Sequence, residues 1–390
     1  MTTPTPSRRR FLGNGLALGC SLAASPLLTP VALASGPWDN RLVVIVLRGA
    51  MDGLDAVAPV SDPALAAMRP SLTTEDHLPL GDGGWALHPA LAPLMPMWRR
   101  GEFGAVHAVS TPYRDKRSHF DGQDMLETGY PDTDGARTRD GWLNRFLATV
   151  PGTAPETAYA VGNDQLLLLD GAADVSRWSP NARLRLSGQA ERLLDLVSHS
   201  DPLFREATRD AVEIAREVED SEALVPGQSG AERVAAFTAE RLRGDTRIAS
   251  FSLGGWDTHG RQRAGITQAL ARLADTLLAL EAGLGPEWQR TAVLCITEFG
   301  RTVAENGTRG TDHGTGGAML YAGGALKGGQ VAGRWPGLGE LYAGRDLLPT
   351  RDVRAHLAWT LRALFGAEVA ALERRVFPGL ELGRGSAILL

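Results

Sequence analysis

The sequence contains few cysteines, the residues that stabilise many small secreted domains through disulfide bonds. It has only two cysteines among 390 residues, Cys20 and Cys295. Cys295 lies inside the apolar run AVLCI, so we interpret it as a core residue and not as a nucleophile. If an N-terminal segment that contains Cys20 is removed, no internal disulfide can form, and stability must come from packing.

An excess of positive charge is also missing. The formal net charge is −5 at pH 7, and no basic stripe stands out along the chain. This composition excludes a general nucleic-acid binder. No internal repeat is visible, and 43% hydrophobic and 22% charged residues are ordinary for a globular chain. The length is sufficient for one large domain or two modest ones.

The N-terminus has the pattern of an export signal. SRRRFLG, Ser7–Gly13, is followed by an apolar stretch from Leu16 to Leu33, and Ala32-Leu33-Ala34 is a small-x-small cleavage site. This arrangement resembles a twin-arginine signal. We therefore predict a signal peptide over residues 1–34, a mature domain over residues 35–390, and a periplasmic or secreted location.

An ordinary signal peptide or an N-terminal membrane anchor is the alternative for this segment. Pro26 and Pro30 interrupt its apolar stretch, which disfavours a permanent span. Proteins with a twin-arginine signal cross the membrane already folded, often with a metal or cofactor loaded beforehand. The signal is therefore compatible with a metal site and predicts no stable membrane span after cleavage.

Short aliphatic runs predict the buried strands of the mature chain. They are RLVVIVL after Trp38, EFGAVHAV, TRIASFSL, TAVLCIT and GAMLYAGG. Helical patterns lie between these runs, among them HPALAPLMPMWRR from His88 and DGWLNRFLATV with Asp140 as its N-cap. Alternating strands and helices predict an α/β fold with a mostly parallel central sheet and helices on both faces. Residues 163–228 are polar and lack buried-strand runs, so we predict a helical insertion or cap there.

Polar residues follow several of these predicted strands. Because ligands bind at the carboxyl ends of the strands in such sheets, we expect these residues to meet at one edge. They are Asp52 after the first strand, Asp257 and His259 in GGWDTHG and Glu298 after TAVLCIT, and they are joined by Asp312 and His313 in TDHGTGG, just before the strand GAMLYAGG. A mixture of carboxylates and imidazoles is typical of a divalent metal site, with zinc as the first choice and manganese, calcium or iron as alternatives. A cation would also remove the repulsion between several carboxylates in one crevice.

Five motifs resemble a known family when they are taken together and in order. RGAMDGLD, SHFDGQDMLETG, GGWDTHG, TEFGRT and TDHGTGG occur in exported bacterial proteins known as domain of unknown function 1501. That family is similar to the alkaline phosphatase and sulfatase superfamily. The resemblance implies an alkaline phosphatase-like α/β fold, usually two metal ions, and hydrolysis or transfer of phosphate or sulfate esters through a Ser, Thr or modified Cys nucleophile.

The resemblance also implies roles for single residues. Asp52 matches the opening metal ligand, Asp257 and His259 match ligands of one metal, and His313 with Asp312 before it matches the final histidine. Glu298 is followed by Phe299 where an Asp-His pair is expected. This departure implies one metal instead of two, or a ligand drawn from His119 or Asp121. Ser118 matches the nucleophile that opens a helix, although a helix N-cap is an equally good interpretation of it.

These residues support one leading hypothesis. We expect an exported, metal-dependent hydrolase of a small anionic phosphate or sulfate ester, in which Arg301 grips the anionic group. A non-catalytic exported module, which keeps a degenerate hydrolase fold and binds a protein or polymer partner, is the alternative. A metal-dependent enzyme of different chemistry, such as an oxidase, is a third.

Overall fold

The part of the chain that can be described begins after the predicted signal peptide. This computed structural model describes residues 38–73, 76–81, 83–114, 117–162, 164, 166–179 and 229–390. The predicted signal peptide, residues 1–34, lies outside the described residues. So does most of the predicted insertion, over residues 180–228.

The first strand lies where the run RLVVIVL predicts it. β1 (Arg41–Leu47) is buried along its whole length. It pairs in parallel with β8 (Ile248–Leu253) on one side and β9 (Thr291–Ile296) on the other. A strand that is aliphatic at every position needs apolar cover on both faces of its sheet.

β1 belongs to a nine-stranded sheet that is parallel except for one strand. β10 (Gly317–Ala322) pairs antiparallel with both of its neighbours, and the other described pairs in this sheet are parallel. The strand order is β11 (Val331–Ala332), β5 (Phe103–Ser110), β10, β9, β1, β8, β6 (Ala158–Val161) and β7 (Ser176–Trp178), and β14 (Arg351–Asp352) also pairs with β5. The predicted fold class, a mostly parallel α/β sheet, is confirmed.

Helices cover both faces of this sheet. Alternate residues of β1 point into two separate apolar clusters: Leu42, Val44 and Val46 into one, and Val43, Ile45 and Leu47 into the other. The first cluster includes the inner face of the helix from Val353, and the second that of the helix from Gln262. The helices in chain order are α1 (Gly53–Ala56), α2 (Ala64–Met68), α3 (Met95–Arg100), α4 (His119–Thr128), α5 (Thr133–Ala136), α6 (Trp142–Leu147), α7 (Gly230–Arg243), α8 (Gln262–Leu284), α9 (Val353–Phe365) and α10 (Val369–Ala371).

Shorter elements complete the chain. Short 3₁₀ turns and one π turn lie between the main elements, and two small sheets stand apart from the main one. The turns are Pro89–Leu94, Pro155–Thr157, Leu167–Leu169, Gly285–Arg290 and Leu372–Val376. One small sheet consists of β2 (Val57–Ala58), β3 (Leu78–Pro79) and β4 (Ala86–Leu87), and the other consists of β12 (Leu341–Tyr342) and β13 (Asp346–Leu347). None of the helices in the described ranges is both long and apolar enough to cross a membrane.

Two local predictions differ from the structure. Asp140 does not cap α6, because Gly141 takes the N-cap position, and Asp140 instead accepts hydrogen bonds from Thr138 and Arg145. In the stretch predicted as a helical insertion, Ser176–Trp178 forms the edge strand β7. The three-residue run SRW has no aliphatic pattern that could reveal a strand, and its pairing with β6 decides its conformation.

Candidate metal centre

The predicted site residues approach one another at a single edge of the sheet. β5, β8 and β9 end at this edge and lead to His119, Asp257 and Glu298, respectively. β10 runs in the opposite direction, so its beginning lies at the same edge and His313 just precedes it. The direction of each strand therefore brings together residues that are far apart in the sequence.

Three imidazoles surround the carboxylate of Asp257. His119 Nε2 lies 3.4 Å from Asp257 Oδ2, while Nε2 of His259 and Nε2 of His313 lie 3.1 and 3.4 Å from Oδ1. The Nε2 atoms of His259 and His313 are only 2.9 Å apart. Ligand atoms of His119, Asp257 and His313 all lie within 4.8 Å of one another, and His259 lies next to two of these residues, Asp257 and His313.

Each of the three histidines is held by its other ring nitrogen. Nδ1 of His119 lies 2.7 Å from Glu298 Oε1, Nδ1 of His259 lies 3.1 Å from Asp312 Oδ1, and Nδ1 of His313 lies 2.6 Å from the carbonyl oxygen of Arg117. Carboxylate and carbonyl oxygens only accept, so these contacts favour the tautomer of each neutral ring in which Nδ1 carries the proton. In this tautomer the Nε2 atom of each ring carries a lone pair and can bind a metal ion.

This arrangement fits a divalent cation. Nε2 of His119 is buried and has no hydrogen-bond partner among the described residues. Atoms bound about 2.0–2.2 Å from a tetrahedral zinc ion lie roughly 3.3–3.5 Å from one another. The four contacts given above, from 2.9 to 3.4 Å, come close to this value. Imidazole and carboxylate together suit zinc, and they also accept manganese or iron.

The carboxylate that holds His119 is itself deeply set in the fold. Glu298 is fully buried, and its Oε1 also accepts hydrogen bonds from Gly49 N at 2.9 Å and Gln123 Nε2 at 3.1 Å. Burial opposes ionisation of Glu298, but the hydrogen bonds from His119 and the other donors outweigh it and lower the pKa of Glu298. The same contact raises the pKa of His119, so a proton and a metal ion compete for its Nε2.

Only glycine fits at position 49. Gly49 has a φ of +119°, and a Cβ there would lie 2.6 Å from the backbone nitrogen of Asp257. The close approach of the two loops therefore requires the missing side chain. It lets Gly49 N reach Glu298 while Asp257 stays beside the histidines.

Arg301 forms an ion pair with Asp257. Its guanidinium is buried and donates from NH1 to Asp257 Oδ1 at 3.0 Å. Burial raises the pKa of Asp257, but Arg301 and the neighbouring histidines lower it more. Three carboxylates, on Asp257, Glu298 and Asp312, lie beside the histidines, and the guanidinium groups of Arg301 and Arg345 interact with Asp257 and Asp312, respectively. Asp257 and His259 are each 46% exposed, so a solute can reach this point.

The sequence profile of one family matches residues 92–360, and its description is "Protein of unknown function (DUF1501)". The chain belongs to this family. The matched range contains all three histidines, Asp257 and Glu298. The resemblance drawn from the five motifs is therefore confirmed. A search of curated proteins found no match.

Solved structures with the same fold class are distant in sequence. A protein of the alkaline phosphatase superfamily from Vibrio parahaemolyticus aligns over 95% of this chain and 79% of its own, with 11% identity and a TM-score of 0.43. The C-terminal periplasmic domain of EcEptC from Escherichia coli aligns over 89% and 88%, with 8% identity and a TM-score of 0.42. The lipoteichoic acid synthase LtaP from Listeria monocytogenes aligns over 68% of this chain and 58% of its own, with 9% identity and a TM-score of 0.35. Because these TM-scores are below 0.5, the similarities do not by themselves assign a function or a ligand to this chain.

The structure sorts the metal ligands expected from the sequence into three groups. His119, Asp257, His259 and His313 lie together at this edge of the sheet. Glu298 and Asp312 contact the Nδ1 atoms of His119 and His259, respectively. Asp52 is engaged by a different partner and forms an ion pair with Arg69 at 2.7 Å.

The two residues expected to act on the substrate are engaged within the fold. Ser118 is the N-cap of α4, and its hydroxyl accepts a long hydrogen bond of 3.5 Å from Asp121 N. The guanidinium of Arg301 is directed at Asp257 and is not presented to solvent. Sequence reasoning did not predict the role of the Arg117 carbonyl, because a backbone oxygen leaves no signal in the residue type.

Proposed function

We propose that this protein is a metal-dependent hydrolase of phosphate or sulfate esters, and that Nε2 of His119, His259 and His313 and the carboxylate of Asp257 hold its divalent ion. One observation carries the metal site. Three Nδ1 atoms are occupied by fixed acceptors, while three Nε2 atoms converge on one carboxylate. Outer acceptors that fix the tautomer of a ligating histidine are typical of metal sites.

The residues around the proposed metal ion have different roles. Glu298, Asp312 and the Arg117 carbonyl keep the imidazoles oriented, and Arg301 keeps Asp257 ionised. When bound, a divalent ion supplies Lewis acidity that stabilises charge on ester oxygens and favours a deprotonated nucleophile. The ester class follows from the sequence resemblance to phosphatases and sulfatases.

Ser118 is our candidate for the nucleophile. It directly precedes the ligand His119 at the amino end of α4, a ten-residue helix. Backbone N–H groups and the helix dipole at such an end favour negative charge on an adjacent oxygen. The long contact from Asp121 N binds the hydroxyl weakly, so it can turn towards a substrate.

The function is tested by metal loading followed by assays. The purified protein is stripped with a chelator, reloaded with zinc or manganese, and assayed on aryl phosphates and aryl sulfates. We expect hydrolysis of one class that depends on the metal. A protein that binds no divalent metal, or a loaded protein that hydrolyses neither ester, would contradict the proposal.

A matched pair of variants tests Ser118. Ser118→Ala and Ser229→Ala each remove the N-cap of a helix, so both should lose about 1 kcal/mol of stability. Only Ser118→Ala should lose activity while the metal remains bound. Equal activity of the two variants would rule out Ser118 as the nucleophile.

Export is a separate part of the proposal. It rests on the arginines and the apolar stretch of residues 7–34. Changing Arg8, Arg9 and Arg10 to lysine should leave a reporter that carries residues 1–34 in the cytoplasm, whereas the unchanged segment should export it. Export of both reporters would contradict a twin-arginine route.

A non-catalytic metal-binding module is the second candidate function. One observation favours it: the guanidinium of Arg301 is buried and occupied by Asp257 inside the fold, so it is not available to an anionic substrate. The same assays decide between the candidates, since such a module would bind the metal tightly and hydrolyse neither ester class.

A further inference from the structure

A second acidic cluster lies beside the metal centre and already contains its own cation. It consists of Asp52, Asp55, Arg69 and Gln262, whose exposures are 1%, 5%, 1% and 0%. Asp52 and Asp55 follow β1 at the same sheet edge as the metal centre. Two buried carboxylates would repel each other strongly without compensation. The question is whether a metal ion or the protein itself provides the compensating charge.

Arg69 occupies the position that a cation would need beside Asp52. Its NH1 donates to Asp52 Oδ2 at 2.7 Å, while its Nε and NH2 donate to the carbonyl oxygens of Val303 and Thr302, each at 2.7 Å. The other oxygen, Asp52 Oδ1, accepts from Leu54 N at 3.1 Å. A guanidinium with three such bonds is fixed in place, and both oxygens of Asp52 are engaged.

Gln262 links this cluster to the loops that carry the metal ligands. Its Nε2 donates to Asp52 Oδ2 at 2.6 Å and to Asp55 Oδ2 at 2.9 Å. Its Oε1 accepts from Thr258 Oγ1 at 2.9 Å and from Thr311 Oγ1 at 2.6 Å. Thr258 lies between Asp257 and His259, and Thr311 directly precedes Asp312. An ion that displaced Gln262 from the carboxylates would disturb both ligand loops.

We propose that the centre binds one divalent ion per chain, because the guanidinium of Arg69 takes the place of a second ion at Asp52. This inference rests on the proposed metal centre and specifies its stoichiometry. The buried cluster is then a scaffold: Arg69 neutralises Asp52, and Gln262 passes the fixed geometry to the loops of Asp257, His259 and Asp312. A reaction at this centre has a single ion to act on both the nucleophile and the ester.

Equilibrium dialysis of the full chain against zinc and, separately, manganese tests the stoichiometry without any activity assay. We expect one ion per chain at saturation. Two ions per chain would overturn the inference and leave the proposed centre standing. No bound ion would contradict the proposed centre as well, so the two failures are distinguishable.

Two isosteric variants locate the ion. Asp52→Asn should still bind one ion at saturation, with an affinity lowered by at most about tenfold, because Asp52 supports the ligand loops through Gln262 but is not a ligand. Asp257→Asn should lose the ion at the same metal concentration. Loss of the ion in a folded Asp52→Asn protein, as judged by circular dichroism, would overturn the inference. If that variant does not fold, the stoichiometry of the unchanged protein still decides.

Discussion

The Nε2 atoms of His259 and His313 face each other at 2.9 Å, and the Nδ1 atom of each ring contacts a hydrogen-bond acceptor. Asp312 holds the proton of one ring on Nδ1, and the Arg117 carbonyl does the same for the other. Two lone pairs at this distance repel each other, unless a proton or a metal ion lies near both. The third imidazole, His119, directs its buried Nε2 at the same carboxylate. A metal ion satisfies all three rings, whereas one proton satisfies at most two.

Asp257→Asn should weaken metal binding by more than about 100-fold, beyond the loss that follows removal of an outer partner. The amide keeps the shape of the carboxylate but removes the negative charge that the three imidazoles surround. Competition with a chromophoric chelator measures the change. Asp134→Asn, at a side chain that is 86% exposed, is the matched control and should bind as tightly as the unchanged protein.

Glu298→Gln should weaken metal binding by about tenfold without removing a ligand. The amide oxygen can still accept from His119 Nδ1, but it no longer increases the basicity of the ring as a carboxylate does. The same chelator competition measures this effect. Glu240→Gln, on the exposed side of α7, serves as its control. An unchanged affinity in Glu298→Gln would mean that His119 is not a ligand.

Two glycines of one loop provide a steric test of the position of His259. A Cβ at Gly310 would lie 2.4 Å from the backbone carbonyl of His259, whereas a Cβ at Gly307 would meet nothing within 4 Å. Gly310→Ala should therefore displace His259 and weaken metal binding, while Gly307→Ala should not. If both alanine variants bind the metal as tightly as the unchanged protein, His259 does not need its observed position.

Three buried histidines away from the centre predict a loss of stability in acid. Burial lowers the pKa of His88 and of His107 to about 4, and that of His356 to about 3. In the unfolded chain these groups titrate near pH ~6.5. Between these values the unfolded state binds more protons, so the free energy of unfolding falls as the pH falls, by up to ~1.4 kcal/mol per pH unit for each histidine.

Urea unfolding of the metal-free protein between about pH 7 and pH 4.5 measures this dependence. His356→Gln should make the stability less dependent on pH, because it removes one of the titrating groups. The comparison with the unchanged protein cancels the contribution of the carboxylates. An identical pH dependence in the two proteins would show that His356 is not buried in its neutral form.

The sheet and its edge could be predicted because they depend on local patterns. The aliphatic runs of β1, β5, β8, β9 and β10 mark buried strands, and the α/β alternation indicates where their ends meet. The antiparallel direction of β10 could not be read from its sequence. This direction is what brings His313 to the common edge, because a residue that precedes a parallel strand would lie at the opposite edge of the sheet.

The division of roles among the acidic residues depends on contacts that the sequence does not show. Asp52 and Asp257 both follow buried strands, but Asp52 meets Arg69 and Gln262, while Asp257 meets the imidazoles. Arg117 adopts a φ of +49°, and its carbonyl, not its side chain, holds His313. Long-range partners of this kind are known only once the chain is folded.

The most direct test of the metal centre is a crystal structure of the zinc-loaded protein with anomalous data collected at the zinc absorption edge. We expect one anomalous peak per chain, about 2.0–2.2 Å from Nε2 of His119, His259 and His313 and from a carboxylate oxygen of Asp257. A peak at Asp52, or no peak beside the three histidines in fully loaded crystals, would contradict the account.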